Sequence, residues 1–296
     1  MRDRLRLGRA GPVTRRLARA ITRAAPVRRV DWLAYAIIGH PRGRDVTVDA
    51  RRHGAMFRLH LGDDVDRLLY LDTYERLALR DVLGVIRPGD VVIDIGANVG
   101  LYSLGAAARG ADVHAFEPVP ATAARLSESL ALNPDAAGSV TLHPEGLSDE
   151  PGSLTLYAES FSEYSGHASA HLAEEAQGES IEVPISTLDA ATADLTGPVR
   201  LVKVDVEGHE PAVLDGGSGF FERVRPDYLF VEIEEDHLVR AGSSGQELYE
   251  KVLALGYEAQ GGYTLHHGLW PYTEPSQDVP PYAAGRGQSI LFRARG

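Results

Sequence analysis

From residue 91 onwards, short apolar segments alternate with segments of helical periodicity, and this alternation is the strongest constraint on the fold. The predicted strands are residues 91–95, 112–116, 140–143, 201–206 and 228–233. Such runs, rich in β-branched residues, suit strands that are buried on both faces of a sheet. Helical segments lie between them, at residues 101–109, 120–132 and 210–214. Repeated β–α units of this length predict a parallel, doubly wound sheet.

The segments outside this alternation indicate how the chain is divided. Residues 1–30 contain ten arginines and one aspartate, although the whole chain has a formal net charge of −12. We expect residues 1–50 to form a basic N-terminal arm, partly helical or disordered, and residues 51–296 to form the α/β domain. Two short apolar segments around a polar loop predict a small β insertion at about residues 153–184.

Shorter patterns suggest the structure at the two ends of this domain. Residues 57–61 alternate between apolar and polar side chains, and residues 68–71 form a short apolar run, so both are predicted strands. Residues 73–86 carry apolar side chains at helical spacing. Towards the end of the chain, residues 246–255 are predicted to be a helix and residues 289–293 a final strand.

The composition excludes several classes of protein. The chain has no cysteine, which rules out disulfides, thiolate zinc sites, iron–sulfur clusters and cysteine nucleophiles. Its longest apolar run, residues 32–38, is too short to span a bilayer, so we expect a cytoplasmic protein. An acidic body is a poor surface for nucleic acid, because basic side chains on phosphates supply most non-specific affinity. The basic arm suits contact with an acidic surface, such as an anionic membrane or an acidic partner.

A glycine-containing turn after the first strand of the alternating region indicates a cofactor site. Gly96 lets the backbone turn sharply and approach a ligand, and Glu117 ends the next strand 21 residues later. A carboxylate at that position can accept hydrogen bonds from both hydroxyls of a ribose. Asn98 stands where a dinucleotide-binding fingerprint has its second glycine, so a pyrophosphate would be poorly accommodated. The pattern therefore favours S-adenosylmethionine over a nicotinamide dinucleotide.

A second polar group runs off a central strand at residues 203–210, where five of the eight residues are ionisable. Ligands of open α/β sheets bind at the carboxyl ends of the strands. Asp205, Glu207 and His209 alternate along this segment, so we predict that all three face the crevice. The next strand is followed by further polar residues that can face the same crevice: Glu232, Glu234, Glu235, Asp236 and His237. Oxygen-rich groups of this kind can hold Mg²⁺ or Ca²⁺, but no dense ligand spacing is visible, and no metal site is predicted.

Motifs in a fixed order along the chain resemble those of the FkbM-family methyltransferases. They are residues 91–100 (VVIDIGANVG), 116–118 (FEP), 186–189 (STLD), 203–210 (KVDVEGHE) and 231–233 (VEI). The resemblance covers about residues 70–295. It implies a class I methyltransferase with a Rossmann-like, doubly wound, mostly parallel sheet and an N-terminal extension. It also implies S-adenosylmethionine as methyl donor, mostly for O-methylation of sugars, polyketides, lipids and other small metabolites.

The resemblance further implies roles for individual residues. The donor-binding residues would be Asp94, Gly96, Asn98 and Gly100 at the methionine end, Glu117 at the ribose, and Gly146 and Leu147 near the adenine. The catalytic residues, facing the methyl group and the acceptor, would be Asp205 and Glu207. His209, where this sequence departs from its relatives, would be a secondary base.

The sequence thus predicts an S-adenosylmethionine-dependent O-methyltransferase that acts on a hydroxyl of a small-molecule metabolite, sugar or glycolipid. Two alternatives stay open at this point. One is a nicotinamide-dependent oxidoreductase on the same kind of sheet, against which Asn98 argues. The other is a non-catalytic Rossmann module that only binds a partner, against which the retained Asp94, Gly96 and Glu117 argue. The identity of the acceptor and the oligomeric state are not predicted.

Overall fold

A computed structural model describes most of the chain beyond the N-terminal arm. The described residues are 46–72, 74–136, 138–158, 169–170, 178–195, 197–264, 282 and 287–296. Almost all of the predicted arm, the apolar run at residues 32–38 and most of the polar loop of the insertion lie outside these residues. The predicted division at residue 50 stays a prediction, and the first described strand lies across it.

The described chain starts with a β hairpin and two helices. Strands β1 (Thr47–Arg52) and β2 (Ala55–His60) pair antiparallel and are followed by helices α1 (Asp64–Leu71) and α2 (Arg76–Gly84). The strand predicted at residues 57–61 is therefore confirmed as β2.

A mostly parallel sheet forms the centre of the molecule. Its strands are β3 (Val91–Ile95), β4 (Asp112–Phe116), β5 (Ser139–His143), β9 (Val199–Val204), β10 (Tyr228–Ile233), β11 (Tyr257–Thr264) and β12 (Gln288–Ala294). Their order across the sheet is β11-β12-β10-β9-β3-β4-β5. Strands β5, β4, β3, β9 and β10 are parallel, whereas β12 runs antiparallel to both β10 and β11. The predicted doubly wound, mostly parallel sheet is thus confirmed.

The connection order places a crevice beside the middle strand. Successive strands β3, β4 and β5 extend the sheet in one direction, and β9 and β10 extend it in the other. The helices between them are α3 (Leu101–Ala107), α4 (Pro120–Ala131), α6 (Glu210–Asp215), α7 (Ser218–Arg223), α8 (Glu235–Arg240) and α9 (Gly245–Ala254). Ligands of open α/β sheets bind where the strand order reverses, outside the carboxyl ends of the strands. In this chain, that position lies between β3 and β9.

Both faces of the sheet are covered, which explains why its strands read as continuous apolar runs. The neighbouring residues Val92 and Ile93 are each at most 1% exposed but belong to different core clusters. Val92 joins the cluster that contains Leu83 of α2 and Leu104 of α3. Ile93 joins the cluster that contains Phe220 of α7. None of the helices in the described part of the chain has the length and hydropathy that crossing a bilayer requires.

The predicted insertion contains a small separate sheet. Strand β7 (Gly152–Ala158) pairs antiparallel with β8 (Glu179–Thr187), and β6 (Gly146–Ser148) lies parallel on the other side of β8. The short helix α5 (Leu188–Ala191) follows β8. The two short strands predicted from sequence are therefore present and longer than expected.

Three local predictions differ from the structure. Residues 68–71 are not a strand but the end of helix α1, because the Asp63 side chain caps that helix by accepting the Asp66 N–H at 3.0 Å. The helix predicted from residue 73 begins only at Arg76, after Glu75 with a left-handed φ of 44°. Strand β11 and helices α7 and α8 have no counterpart in the sequence-based assignment.

A close backbone approach joins the turn after β3 to the end of β9. Gly96 has a φ of +75°, and a Cβ atom on it would lie 1.8 Å from the carbonyl oxygen of Asp205. Such a distance cannot be accommodated without moving one of the two backbones. Glycine is therefore required at this position for both conformation and space.

We expect Gly96→Ala to destabilise the protein more than Gly89→Ala does. Gly89 has a similar φ of +83° but open space around its Cα, so its substitution should cost only the left-handed strain of about 1–2 kcal/mol. Gly96→Ala adds a backbone clash of about 1–3 kcal/mol. Urea unfolding of the two variants measures the difference, and equal losses of stability would contradict the close approach.

Candidate active site

Lys203, a buried lysine on the central strand β9, contacts both sides of the crevice. Its ammonium donates a hydrogen bond of 2.7 Å to the carbonyl oxygen of Gly96. The same nitrogen lies 3.0 Å from Asp205 Oδ2 and 3.5 Å from Asp94 Oδ1. Burial opposes the positive charge, but the two carboxylates outweigh burial and raise the pKa of Lys203. The lysine is therefore a permanent cation between the turn after β3 and the end of β9.

The turn after β3, residues 96–100, is held in a left-handed conformation by its neighbours. Gly96, Asn98 and Gly100 all have positive φ. The N–H groups of Gly96 and Ala97 both donate to the carbonyl oxygen of Phe116, at 3.0 and 2.9 Å. Behind the turn, Asp94 accepts a hydrogen bond of 2.6 Å from Ser103. This turn is called the donor loop below.

Glu117, at the end of β4, supports the donor loop from the other side. One carboxylate oxygen accepts the N–H of Asn98 and the other accepts the N–H of Val119, each at 2.9 Å. Burial raises the pKa of Glu117 to about 7, although the two backbone hydrogen bonds oppose this shift. Each oxygen of a carboxylate can accept a second hydrogen bond, so Glu117 keeps acceptor capacity for a ligand.

The polar atoms around the donor loop fit a ligand that offers hydroxyl and ammonium donors. Asn98 Oδ1 is shielded from solvent and has no hydrogen-bond partner among the described residues. Gly146, at the start of β6, packs beside the loop that carries Glu117, since a Cβ on it would lie 3.6 Å from Pro118. Leu147 is 3% exposed and belongs to the core. Only glycine fits at position 100 without displacing a neighbour, because a Cβ there would lie 2.2 Å from the Leu126 side chain.

Four carboxyl groups gather on the other side of Lys203, and we call them the acidic cluster: Glu75, Asp205, Glu207 and Glu232. Burial and the charge of Asp205 raise the pKa of Glu75, which accepts a hydrogen bond from the Tyr102 hydroxyl. Burial, followed by Asp205 and Glu207, raises the pKa of Glu232 well above its ordinary value. Asp205 thus lies close enough to repel both Glu75 and Glu232, and Glu207 lies close enough to repel Glu232.

A tight turn after β9 directs Glu207 towards helix α8. Glu207 has a left-handed φ of 56°, and Gly208 follows with a φ of 98°. Glu210 Oε1 accepts the N–H groups of Val206 and Gly208, at 2.9 and 3.3 Å, and so fixes the turn. Glu207 Oε2 then lies 2.8 Å from His237 Nδ1, and this pairing raises the pKa of His237.

The predicted convergence of three alternating residues relies on an extended segment that the structure does not have. Asp205 and Glu207 both join the acidic cluster, but the left-handed turn at Glu207 interrupts the extended segment on which the prediction relied. The imidazole of His209 contacts strand β6, where its Nε2 lies 2.8 Å from the Ser148 hydroxyl. The strand predicted to reach residue 206 accordingly ends at Val204.

Several residues of the site had no role assigned from sequence. Lys203 belongs to the motif at residues 203–210. Apart from that motif, the sequence indicates its importance only by placing a lysine in an apolar strand. The sequence predicts that Glu232 and His237 lie near the crevice but assigns them no function. Glu75 belongs to the part of the chain that the resemblance covers, but it has no role predicted from sequence, and Tyr102 carries no signal of its own. Their contact depends on how α2 packs against α3.

The strand order and the glycine-containing donor loop at the carboxyl end of β3 are those of a class I, S-adenosylmethionine-dependent methyltransferase. Residues 94–259 match the model of the methyltransferase FkbM domain. The chain belongs to this family, which confirms the resemblance seen in the sequence. Because the family uses S-adenosylmethionine, the nicotinamide-dependent alternative does not hold.

Two curated relatives are similar to this chain. The 31-O-demethyl-FK506 methyltransferase FkbM of Streptomyces tacrolimicus is 32% identical, over 53% of this chain and 70% of its own length. The hexuronic acid methyltransferase AglP of Haloferax volcanii is 31% identical, over 54% of this chain and 62% of its own length. The match thus leaves about a third of each relative uncovered.

Solved structures that match this chain share little sequence with it. Methyltransferase FkbM from Methylobacillus flagellatus is 14% identical with a TM-score of 0.44, over 77% of this chain and 54% of that one. Magnesium protoporphyrin IX methyltransferase from Synechocystis, with bound S-adenosylmethionine, is 11% identical with a TM-score of 0.45, over 78% of this chain and 84% of that one.

Proposed function

We propose that this methyltransferase acts on a hydroxyl oxygen of a small-molecule metabolite, sugar or glycolipid. The observation that carries the proposal is the placement of Lys203, whose ammonium contacts the donor loop at Gly96 and the acidic cluster at Asp205. A donor pocket and a set of proton acceptors thus share one buried cation. The names of the two relatives, one a 31-O-demethyl-FK506 and one a hexuronic acid methyltransferase, support an oxygen-rich acceptor.

The donor pocket of the proposal is built around the donor loop. Glu117 would accept hydrogen bonds from the ribose hydroxyls, and Asn98 Oδ1 would accept one from the methionine end. Asp94, Gly96 and Gly100 shape the loop, since each is committed to contacts within the protein. Gly146 and Leu147 would border the adenine, on the side where Gly146 approaches Pro118.

Bound S-adenosylmethionine supplies a methyl group that is activated by the positive charge of its sulfonium. The protein must then align the acceptor oxygen and remove its proton. Asp205 suits this role, because its side chain is 30% exposed towards the crevice while Lys203 fixes its position. Glu207 would orient the acceptor by accepting a hydrogen bond from it. His209, bonded to Ser148, would contribute less.

We expect Asp205→Asn to reduce turnover by about 10²-fold or more, the usual scale of acid–base contributions. Asn cannot take the proton but keeps the size of the side chain. His209→Ala should cost about tenfold at most, below that scale. The measurement is single-turnover methyl transfer, with an acceptor found by screening hydroxylated metabolites and sugars against a labelled methyl donor. Asp236→Asn, an exposed aspartate of helix α8, is the matched control and should retain wild-type turnover.

Full activity in Asp205→Asn would remove the carboxylate from the mechanism. A screen in which only nitrogen atoms of acceptors become methylated would contradict the O-methylation itself. These two outcomes are separable, because the first concerns the base and the second concerns the acceptor.

We expect Glu117→Gln to weaken S-adenosylhomocysteine binding by about 1.5–3 kcal/mol, the usual value of hydrogen bonds to a charged group. The pKa of about 7 adds a signature. The ionised carboxylate is the better acceptor, so wild-type affinity should rise as the pH increases from 6 to 8. The variant should lack this part of the pH dependence. Titration calorimetry measures both effects, and unchanged affinity in a folded variant would contradict the role of Glu117.

A further inference from the structure

Three side chains from separate elements converge beside Asp205 on the acceptor side of the site. They are Glu207 in the turn after β9, Glu232 in β10 and His237 in helix α8. One ligand atom from each lies within 4.8 Å of the others. Atoms that share one metal ion at about 2.0–2.2 Å are separated by at most about 4.4 Å. The three side chains therefore stand within a small adjustment of a coordinating arrangement.

Cations pair with some, but not all, of the carboxyl groups around these side chains in the described part of the chain. Lys203 pairs with Asp205 and Asp94, and His237 pairs with Glu207. Glu232 Oε2, in contrast, is shielded from solvent and has no hydrogen-bond partner in the described part of the chain. A buried carboxylate is costly unless it is paired or coordinates a metal. The ion pair of Glu207 with His237 explains their contact. The side chain that approaches Glu232, Asp205, is itself a carboxyl group and brings no positive charge to it.

We propose that one divalent transition-metal ion, of the series from Mn²⁺ to Zn²⁺, binds to Glu207, Glu232 and His237. Carboxylates favour the harder ions of that series and imidazole favours the softer ones, so a mixed set suits this class. Three protein ligands would leave coordination positions open, and the proposed acceptor oxygen would take one of them. The cation would orient that oxygen next to Asp205.

The sequence predicted no metal site, because its ligands are not closely spaced along the chain. Glu207 and Glu232 are separated by 25 residues, and they meet only because β9 and β10 are neighbouring parallel strands. The left-handed turn at Glu207 then directs that side chain towards α8. Strand pairing and turn geometry together create a ligand set that residue spacing alone does not show.

The test uses the full chain, freed of metal with a chelator, and manganese chloride as the probe. Calorimetry and the paramagnetic resonance signal of free Mn²⁺ should show one ion bound per chain. Glu232→Gln and His237→Ala should each weaken binding by at least about tenfold, the lower end of the loss seen even for residues that only support metal ligands. Glu222→Gln, which changes an exposed glutamate of α7, is the matched control and should bind Mn²⁺ as the wild type does.

Two results would overturn this site. One is the absence of saturable binding of both Mn²⁺ and Zn²⁺ to the folded wild-type protein. The other is a bound ion that persists with wild-type affinity in Glu232→Gln, His237→Ala and Glu207→Gln, which would place it elsewhere. Melting temperatures measured with and without Mn²⁺ confirm that each variant is folded, and the ion should stabilise the wild type and the control variant more than the ligand variants. Since neither donor nor acceptor is present, failure of the proposed methyl transfer would not affect this result.

Discussion

The ammonium group of Lys203 links the two halves of the site through three contacts. It donates to the carbonyl oxygen of Gly96 in the donor loop and pairs with Asp205 and Asp94. All of this occurs in a side chain that is 4% exposed. A buried cation is tolerated only when its neighbours compensate the loss of hydration. The position of the donor loop and the position of the Asp205 carboxylate therefore depend on the same charge.

The two sides of Lys203 differ in their chemical environment. On the donor side, Glu117 is held by backbone N–H groups and keeps capacity for hydroxyl donors. On the acceptor side, carboxyl groups outnumber cations, and the pKa values of Glu75 and Glu232 are raised by burial and mutual repulsion. Transfer of a methyl group from a sulfonium to a hydroxyl moves positive charge onto the acceptor oxygen until its proton is lost, so negative charge on the acceptor side would stabilise the transition state. The fold thus concentrates carboxyl groups on one side of Lys203.

The fold and the donor side could be predicted from sequence to a large extent, because strands β3, β4 and β10 are apolar runs with clear boundaries. The donor loop and Glu117 follow those strands directly, so their positions follow from the strand assignment. The acceptor side could not be predicted in the same way. The direction of Glu207 depends on one left-handed residue, and its neighbours Glu232 and His237 come from another strand end. Residues 68–71 are a second example, because this apolar run is the end of a helix and not a strand. The Asp63 side chain caps that helix.

The central claim, that one buried cation organises both halves of the site, is tested most directly by Lys203→Met. The methionine fills a similar volume without the charge. Affinity for S-adenosylhomocysteine and turnover in the variant should both fall by about tenfold or more, equivalent to at least about 1.4 kcal/mol for each. Lys203→Arg, which keeps the charge, should lose less. A folded Lys203→Met protein with the donor affinity and turnover of the wild type would contradict the account.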